Sequence, residues 1–462
     1  MVSPKAVQNY PETYRSREVN ILSKWLLSGI SGTVISLPGA GRNNLLNFLC
    51  YRPDVLQVHY LEAEATRIVV VPVDLSNLPE NSPVTMYRAI LRAFYWQRHR
   101  LPSHLQDHVT SIYAENRGTR DPFIAQTGLY ELLLGFQKEA LQVTLVFNRF
   151  EQFAAEANGR MFTTLRSLRD TFKEILAYIV GMHREIIYLP NREALGELYP
   201  LLDNNVCWIS AMNDSDSRWV IEQALYRVAE RPSPGELNHI LALSGGLPVL
   251  LRFITSWWVK QSPKPPLESW TEQLLSTYLF DHRLKELWQG LTQEEKSALL
   301  ALGKTKGRRG ETAVSPPEER ILQQLAVKGV CHKSSQGWQI NSLLWAAYIH
   351  LQKEEKQIGK LTQHEKSDLI LQASEPVKLA PQEATLLSFL LKHPYERHTY
   401  ETLILMVWAN DHDPISQKQS LHQLIRAIRL KIEPNPSEPL YLITWRDQDD
   451  AGYQLFPEGQ PL

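Results

Sequence analysis

Two stretches of the chain carry side chains whose types and spacing could do chemistry. The first is Pro38-Gly39-Ala40-Gly41-Arg42-Asn43-Asn44, set between an apolar run and a helical pattern. A glycine-rich turn at that place brings backbone N–H groups together at a helix N-terminus, where the dipole favours an anion. The chemistry is phosphate binding. The second is the stretch 415–432, which holds four basic residues (Lys418, Arg426, Arg429, Lys431) and no acidic one. At about 100° per residue, Leu421, Leu424, Ile425, Ile428 and Ile432 fall on one helical face. Lys418, His422, Arg426 and Arg429 gather on an adjacent face. A helix held by an apolar stripe and presenting a cationic one suits recognition in a DNA major groove.

The elements that must position these groups follow from periodicity. Short β-branched or apolar runs at 32–37, 67–75, 141–147 and 185–189 alternate with helical stretches. Strands separated by helices predict a parallel sheet with helices on both faces. Helical patterns at 292–302 and 317–328, then a hairpin from 329–332 and 337–340, predict a small winged helix. After 368 come an opening hairpin, helices starting at Pro381 and Thr399, the cationic helix, and a closing hairpin from 441–446 and 452–456. Pro381 with Glu383 behind it suits a helix N-terminus. Three stretches punctuate the chain: the proline-rich 262–266, the loop 304–317 and the charged linker 353–366. The expected domains are 14–258, 267–352 and 368–458, so the fold class is multidomain α/β plus α+β.

Composition narrows the field. The 462 residues correspond to about three domains at ~150 residues each. Forty-nine basic residues against 50 acidic give a net charge of −1, so any polyanion-binding surface must be local. Cys50, Cys207 and Cys331 are too scattered for a disulfide framework or a zinc cluster, which fits a reducing compartment. No apolar run approaches the ~18 residues of a membrane span, and a cytoplasmic protein without membrane contact is expected. His104 and His108 lie four apart in a helical stretch but lack a third ligand, so no metal site is expected.

The phosphate-loop pattern is Gly-x-x-x-x-Gly-Lys-[Ser/Thr]. Here Ser36 takes the first glycine position, Arg42 replaces the lysine, and Asn43 replaces the hydroxyl that binds Mg²⁺. In the later run Leu145-Val146-Phe147-Asn148-Arg149-Phe150-Glu151, Asn148 stands where an NTPase places its metal-holding aspartate. Glu151 is the one candidate for a water-activating acid. The stretch Ile186 to Arg192 reads as a strand ending in polar residues, and Gly245-Gly246-Leu247-Pro248 follows before the middle winged helix. This order resembles AAA+-like NTPases of the STAND and origin-recognition type over roughly 14–350. The resemblance implies an ATP or ADP site formed by Gly39, Gly41, Arg42, Asn43, Asn44, Asn148, Arg192 and Pro248. Pro248 would lie near the adenine and Arg192 at a γ-phosphate sensor. The replaced side chains remove the metal's charge balance, so a pseudo-ATPase that does not hydrolyse ATP is expected.

The C-terminal stretch resembles the OmpR/PhoB-type winged-helix DNA-binding domain. The matching residues are Leu379-Ala380-Pro381-Gln382-Glu383, Leu386-Leu387, Val407-Trp408, Ile425 to Ile432, Ile443-Thr444-Trp445-Arg446 and Gly452-Tyr453-Gln454-Leu455. The resemblance implies that this helix enters the major groove with Arg426 and Arg429 on phosphates or bases and that Arg446, on the wing, approaches the minor groove. With Lys418 and His422 on the same face and Lys431 beside them, these form the expected DNA-binding residues. Asp447, Asp449 and Asp450 make the wing tip acidic. Residues 375–458 hold eight basic and twelve acidic residues, a net of −4, which opposes phosphate binding.

The expected function is a DNA-binding transcriptional regulator whose N-terminal domain senses a signal or drives assembly. Duplex DNA is the expected partner, with a homo-oligomer or a partner protein. The alternatives are an active ATP-driven STAND switch, or a protein-binding scaffold in a mobile-element or defence complex.

Overall fold

Apolar runs that a parallel sheet buries on both faces dominate the N-terminal half. In the computed structural model, β1 (Gly32–Ser36) and β4 (Leu176–Met182) are buried at every position. With β2 (Ile68–Val73), β3 (Gln142–Phe147) and β5 (Val206–Ile209) they form one parallel sheet of order β2-β3-β4-β1-β5. The structure describes residues 9–61, 66–189, 191–305, 316–335, 337–351, 359–363, 369–372, 375–408, 414–447 and 450–460. The chain divides into two units, one of Met1–Leu241 with Gly246–Lys260, the other of Ala242–Gly245 with Gln261–Leu462.

In the first unit, the helices Pro83–Gln97, Pro122–Lys138 and Gly159–Thr171 close one large core with β2, β3 and β4. The helix Arg42–Tyr51 follows β1 directly. Register sets the loops side by side. Phe147 at the end of β3 pairs with Val180, and Met182 at the end of β4 pairs with Ile35 of β1. The loops leaving β1, β3 and β4 therefore open at one edge of the sheet, where such folds bind ligands.

One strand assignment is corrected. Residues 185–189 do not form a strand; Ile186–Tyr188 is a 3₁₀ turn. The strand is Leu176–Met182, a continuous apolar run whose lack of alternation is equally compatible with a buried helix. The polar residues following that strand are His183 and Arg184, not Arg192.

The second unit starts with helices and a two-stranded hairpin. Helix Gln293–Thr305 carries a capping box: Thr292 N donates to Glu295 Oε2 at 3.0 Å and Glu295 N donates to Thr292 Oγ1 at 3.3 Å. The same Glu295 meets Lys328 Nζ at 2.8 Å in a buried pair that joins this helix to the end of Pro316–Val327. β6 (Cys331–Ser334) and β7 (Gly337–Ile340) pair antiparallel. Glu319 holds them by accepting from Lys333 Nζ at 2.7 Å and from Trp338 Nε1 at 2.8 Å. The basic loop residues 306–315 lie outside the described residues.

The C-terminal part has an opening antiparallel sheet of β8 (Leu361–Gln363), β9 (Ile370–Gln372) and β10 (Glu375–Pro376). β8 arises within the stretch read as a linker: Leu361 is buried and joins the C-terminal core. Helices Pro381–Lys392, Tyr400–Val407 and Pro414–Ile432 follow, and β11 (Arg397–Thr399), β12 (Leu442–Arg446) and β13 (Ala451–Leu455) complete a sheet of order β11-β13-β12. Three helices with a strand hairpin form a winged helix. Among the described residues, no helix is long and apolar enough to cross a membrane, and no group of three or more His, Cys, Asp or Glu could hold a metal.

Candidate functional sites: a phosphate loop and a cationic helix

At the sheet edge, Gly39 has φ +75° and Gly41 φ +96°, backbone conformations that suit glycine. The turn they permit leaves the N–H groups of Gly39, Gly41, Arg42 and Asn43 without backbone acceptors among the described residues. Gly41 caps the helix Arg42–Tyr51. Pro248 and Val249 pack on the loop: Val249 N donates to Gly39 O at 3.3 Å, and a Cβ on Gly41 would lie 3.5 Å from Pro248 Cγ. Arg15, which sequence reasoning missed, braces the other side. Its guanidinium donates to Ala40 O at 2.5 Å and to Ser210 O at 2.9 Å, and its N–H donates to Asp216 Oδ2 at 3.0 Å. Nothing in the sequence near Arg15 points to acceptors about 25 and 195 positions away.

Arg42 is buried to 3% exposure, its stem running over Gly181 of β4, where a Cβ would lie 3.3 Å from Arg42 Cδ. Its Nη2 reaches Glu151 Oε1 at 3.3 Å and His183 Nε2 at 3.4 Å. Burial pulls the Arg42 guanidinium down from its usual range, and the adjacent Glu151 opposes that. Arg42 Nε and Nη1 and Glu151 Oε2 are buried without partners. His183 Nδ1 lies 3.3 Å from Ser36 O; burial and then the Arg42 charge push its ring down. Asn148 Nδ2 donates to Asn43 Oδ1 at 2.8 Å. The structure thus brings Gly39, Gly41, Arg42, Asn43, Asn148, Glu151 and Pro248 to one edge and adds His183. Asn44 sits in the first helical turn, its N–H bonded to Gly41 O at 3.1 Å. Arg192 stands apart, in a 3₁₀ turn with its guanidinium over the Tyr199 ring at 5.5 Å.

On the helix Pro414–Ile432, Leu421, Ile425, Ile428 and Ile432 are buried in the C-terminal core and Leu424 packs partly against it. The cations on its other faces divide into two sets. Lys418, His422 and Arg426 are exposed, as is Arg446 on β12. Lys418 Nζ sits over the Tyr400 ring at 4.9 Å. Arg429 and Lys431 are engaged within the domain. Arg429 donates from Nε and Nη2 to Leu442 O at 3.0 and 2.6 Å and from Nη2 to Thr444 Oγ1 at 2.9 Å. Lys431 Nζ meets Glu383 Oε2, the carboxylate that also accepts from Ala380 N at the start of Pro381–Lys392. Gln419 and Gln423, absent from the sequence-derived site, are exposed one helical turn apart beside Arg426. At the wing tip Asp447 lies 4.0 Å from Arg397 Nη1, and Asp449 lies outside the described residues.

His422 Nδ1 and the Tyr453 hydroxyl are 2.7 Å apart. Burial, then the Lys418 and Arg446 charges, hold the His422 ring below the usual histidine range, so it is neutral near neutrality. A phosphate placed beside it would favour the charged form and raise that value. If a duplex engages this face, binding is therefore expected to take up a proton. Affinity rises as pH falls from the bound-state value to the free-state value, by at most about tenfold per pH unit, and then levels. Titrating affinity against pH checks this; His422→Gln should flatten the profile.

Comparison with known proteins bears mainly on this second site. Residues 374–455 match the family model described as transcriptional regulatory protein, C terminal. Over 86 residues the chain is 35% identical to the alkaline phosphatase synthesis transcriptional regulatory protein SphR of Synechococcus elongatus, covering 19% of this chain and 32% of that protein. The chain thus spans about a third of the length of that curated relative. Among solved structures, a Walker-type ATPase of Pyrococcus abyssi aligns at TM-score 0.42 and 13% identity, covering 75% of this chain and 99% of that one. The ORC2 protein of Aeropyrum pernix, in ADPNP and ADP complexes, aligns at TM-score 0.38 and 11% identity, covering 74% and 96%.

Proposed function

We propose that the protein is a DNA-binding transcriptional regulator, with the winged helix of residues 368–458 engaging duplex DNA through Lys418, His422, Arg426 and Arg446. The observation that carries this reading is the helix Pro414–Ile432. Its apolar stripe is buried while Lys418 and Arg426 remain exposed, and it lies within a segment that matches a transcriptional-regulator family. Lys418 and Arg446 flank the reading face and suit phosphates. Arg426, with Gln419 and Gln423, suits base edges, because a guanidinium pairs with guanine and a carboxamide with adenine. Arg429 and Lys431 serve the domain's own packing.

The net charge of −4 over 375–458 and the acidic tip at Asp447 and Asp450 weaken the pull of a single domain on DNA. Tandem half-sites and assembly through the N-terminal unit would compensate by effective concentration. That unit acts in this reading as a sensing and assembly module, a pseudo-ATPase with Arg42, Asn43 and Asn148 in place of lysine, hydroxyl and aspartate.

Footprinting the full chain on genomic fragments is expected to reveal short, repeated protected sites. Binding should weaken with salt at a log–log slope of about −0.9 for each phosphate contacted per bound unit. Lys418→Ala with Arg446→Ala should flatten that slope without altering the preferred sequence. The excess of acidic residues favours one other reading, a scaffold whose winged helix faces protein. Absence of salt-sensitive binding to any duplex at low ionic strength would select it.

A further inference from the structure

We propose that the glycine loop takes a phosphate-bearing ligand, such as a nucleoside diphosphate, without a divalent cation. This rests on reading the N-terminal unit as a sensing module, and it is independent of DNA binding by the other unit.

Three features of the sheet edge carry it. The N–H groups of Gly39, Gly41, Arg42 and Asn43 have no backbone acceptor among the described residues and lie at a helix N-terminus. Such a nest favours an anion. The Arg42 side chain, rooted in that nest and 2% exposed, keeps Nε and Nη1 buried and, among the described residues, without a partner. A desolvated cation with donors to spare favours an anion that can accept from them.

The third feature is the corner where a metal would sit. Magnesium requires oxygen ligands in near-octahedral array, usually with a carboxylate among them. The two side chains available are uncharged amides, and each of their oxygens already accepts a hydrogen bond from the protein. Asn43 Oδ1 accepts from Asn148 Nδ2 at 2.8 Å, and Asn148 Oδ1 accepts from Arg149 N at 3.0 Å. The Arg149 bond assigns the oxygen end of the Asn148 amide, so its NH₂ end faces Asn43 and supplies a donor where a metal would need an acceptor. Glu151, the carboxylate brought to this edge, is paired to Arg42 at 3.3 Å. These residues do not fit a metal. The charge it would balance falls to Arg42 and the backbone N–H groups, with His183 able to join when protonated.

The test is isothermal titration of the full chain with ADP, and separately with inorganic pyrophosphate, in EDTA and again with excess magnesium. Binding in EDTA at least as tight as in magnesium is expected, because excess magnesium complexes both probes and withdraws their metal-free forms. Binding that requires magnesium, or no binding of either probe, overturns the proposal. Arg42→Ala is expected to lower affinity in EDTA by about tenfold or more, since charge-assisted contacts are the strong ones; unchanged affinity overturns Arg42's role. Asn43→Ser with Asn148→Asp is expected to make binding magnesium-dependent, and indifference to magnesium in that variant overturns the assignment to the asparagine pair. A gel shift on the same preparations separates the readings. Intact DNA binding with no ligand binding refutes this inference alone.

Discussion

Arg426→Ala and Arg429→Ala are expected to weaken duplex binding by different routes. The two residues are three positions apart on one helix, but only Arg426 is exposed, with no hydrogen bond or ion pair among the described residues. Its truncation should cost about 1–3 kcal/mol of affinity for the preferred site, relax specificity at one position and leave the melting temperature unchanged. Arg429 is half-buried and spends three donor contacts on Leu442 O and Thr444 Oγ1, while its guanidinium lies 5.6 Å from the Tyr453 ring centre. Truncating it frees a buried carbonyl and the register of β12. We expect a stability loss of about 2–3 kcal/mol, with DNA affinity falling because the wing is displaced. Melting curves beside binding isotherms check both. Should Arg429→Ala melt like the parent yet lose DNA, Arg429 would belong to the interface.

Glu433→Ala is expected to have the largest effect on stability. This side chain follows the cationic helix and is 6% exposed. Its carboxylate accepts from Leu440 N at 2.7 Å, Tyr441 N at 3.0 Å and Leu442 N at 2.7 Å. Those bonds fold residues 433–442 back into β12 and so aim the wing. Burial pushes the carboxyl above its usual range, and the three N–H donors pull against that. Alanine would strand three inward N–H groups at roughly 1–3 kcal/mol each, part of it recovered by water, for a net loss of about 3–5 kcal/mol. In a domain this size that lowers the melting temperature by roughly 10 °C or more. Glu433→Gln keeps one acceptor without a buried charge and should lose less than half as much. Equal stability of parent and alanine variant would show that the turn is held by other contacts.

Much of the architecture was legible in the sequence because it is local. The glycine turn between an apolar run and a helix needs only neighbouring residues to be recognised, and so does the 3.6-residue stripe from Leu421 to Ile432. Leu176–Met182 was missed because a parallel strand buried on both faces carries no period. The stretch 185–189 misled because two isoleucines mimic a strand in what is a 3₁₀ turn. β8 was hidden inside a charged stretch, where three residues are too few for a pattern to show.

By itself the sequence determined that a glycine turn between an apolar run and a helix carries Arg42 and Asn43, with Asn148 on a later run, and that an apolar-backed cationic helix lies in the C-terminal stretch. Residue type and helical period suffice for both. Only the tertiary structure decided which cations remain available. Arg42 meets Glu151 across 109 positions, Lys431 meets Glu383 across 48, and Arg429 meets a carbonyl 13 residues on. The reason is physical. A buried donor must find an acceptor, and the chain's path through space, not its order, determines which acceptor lies within reach.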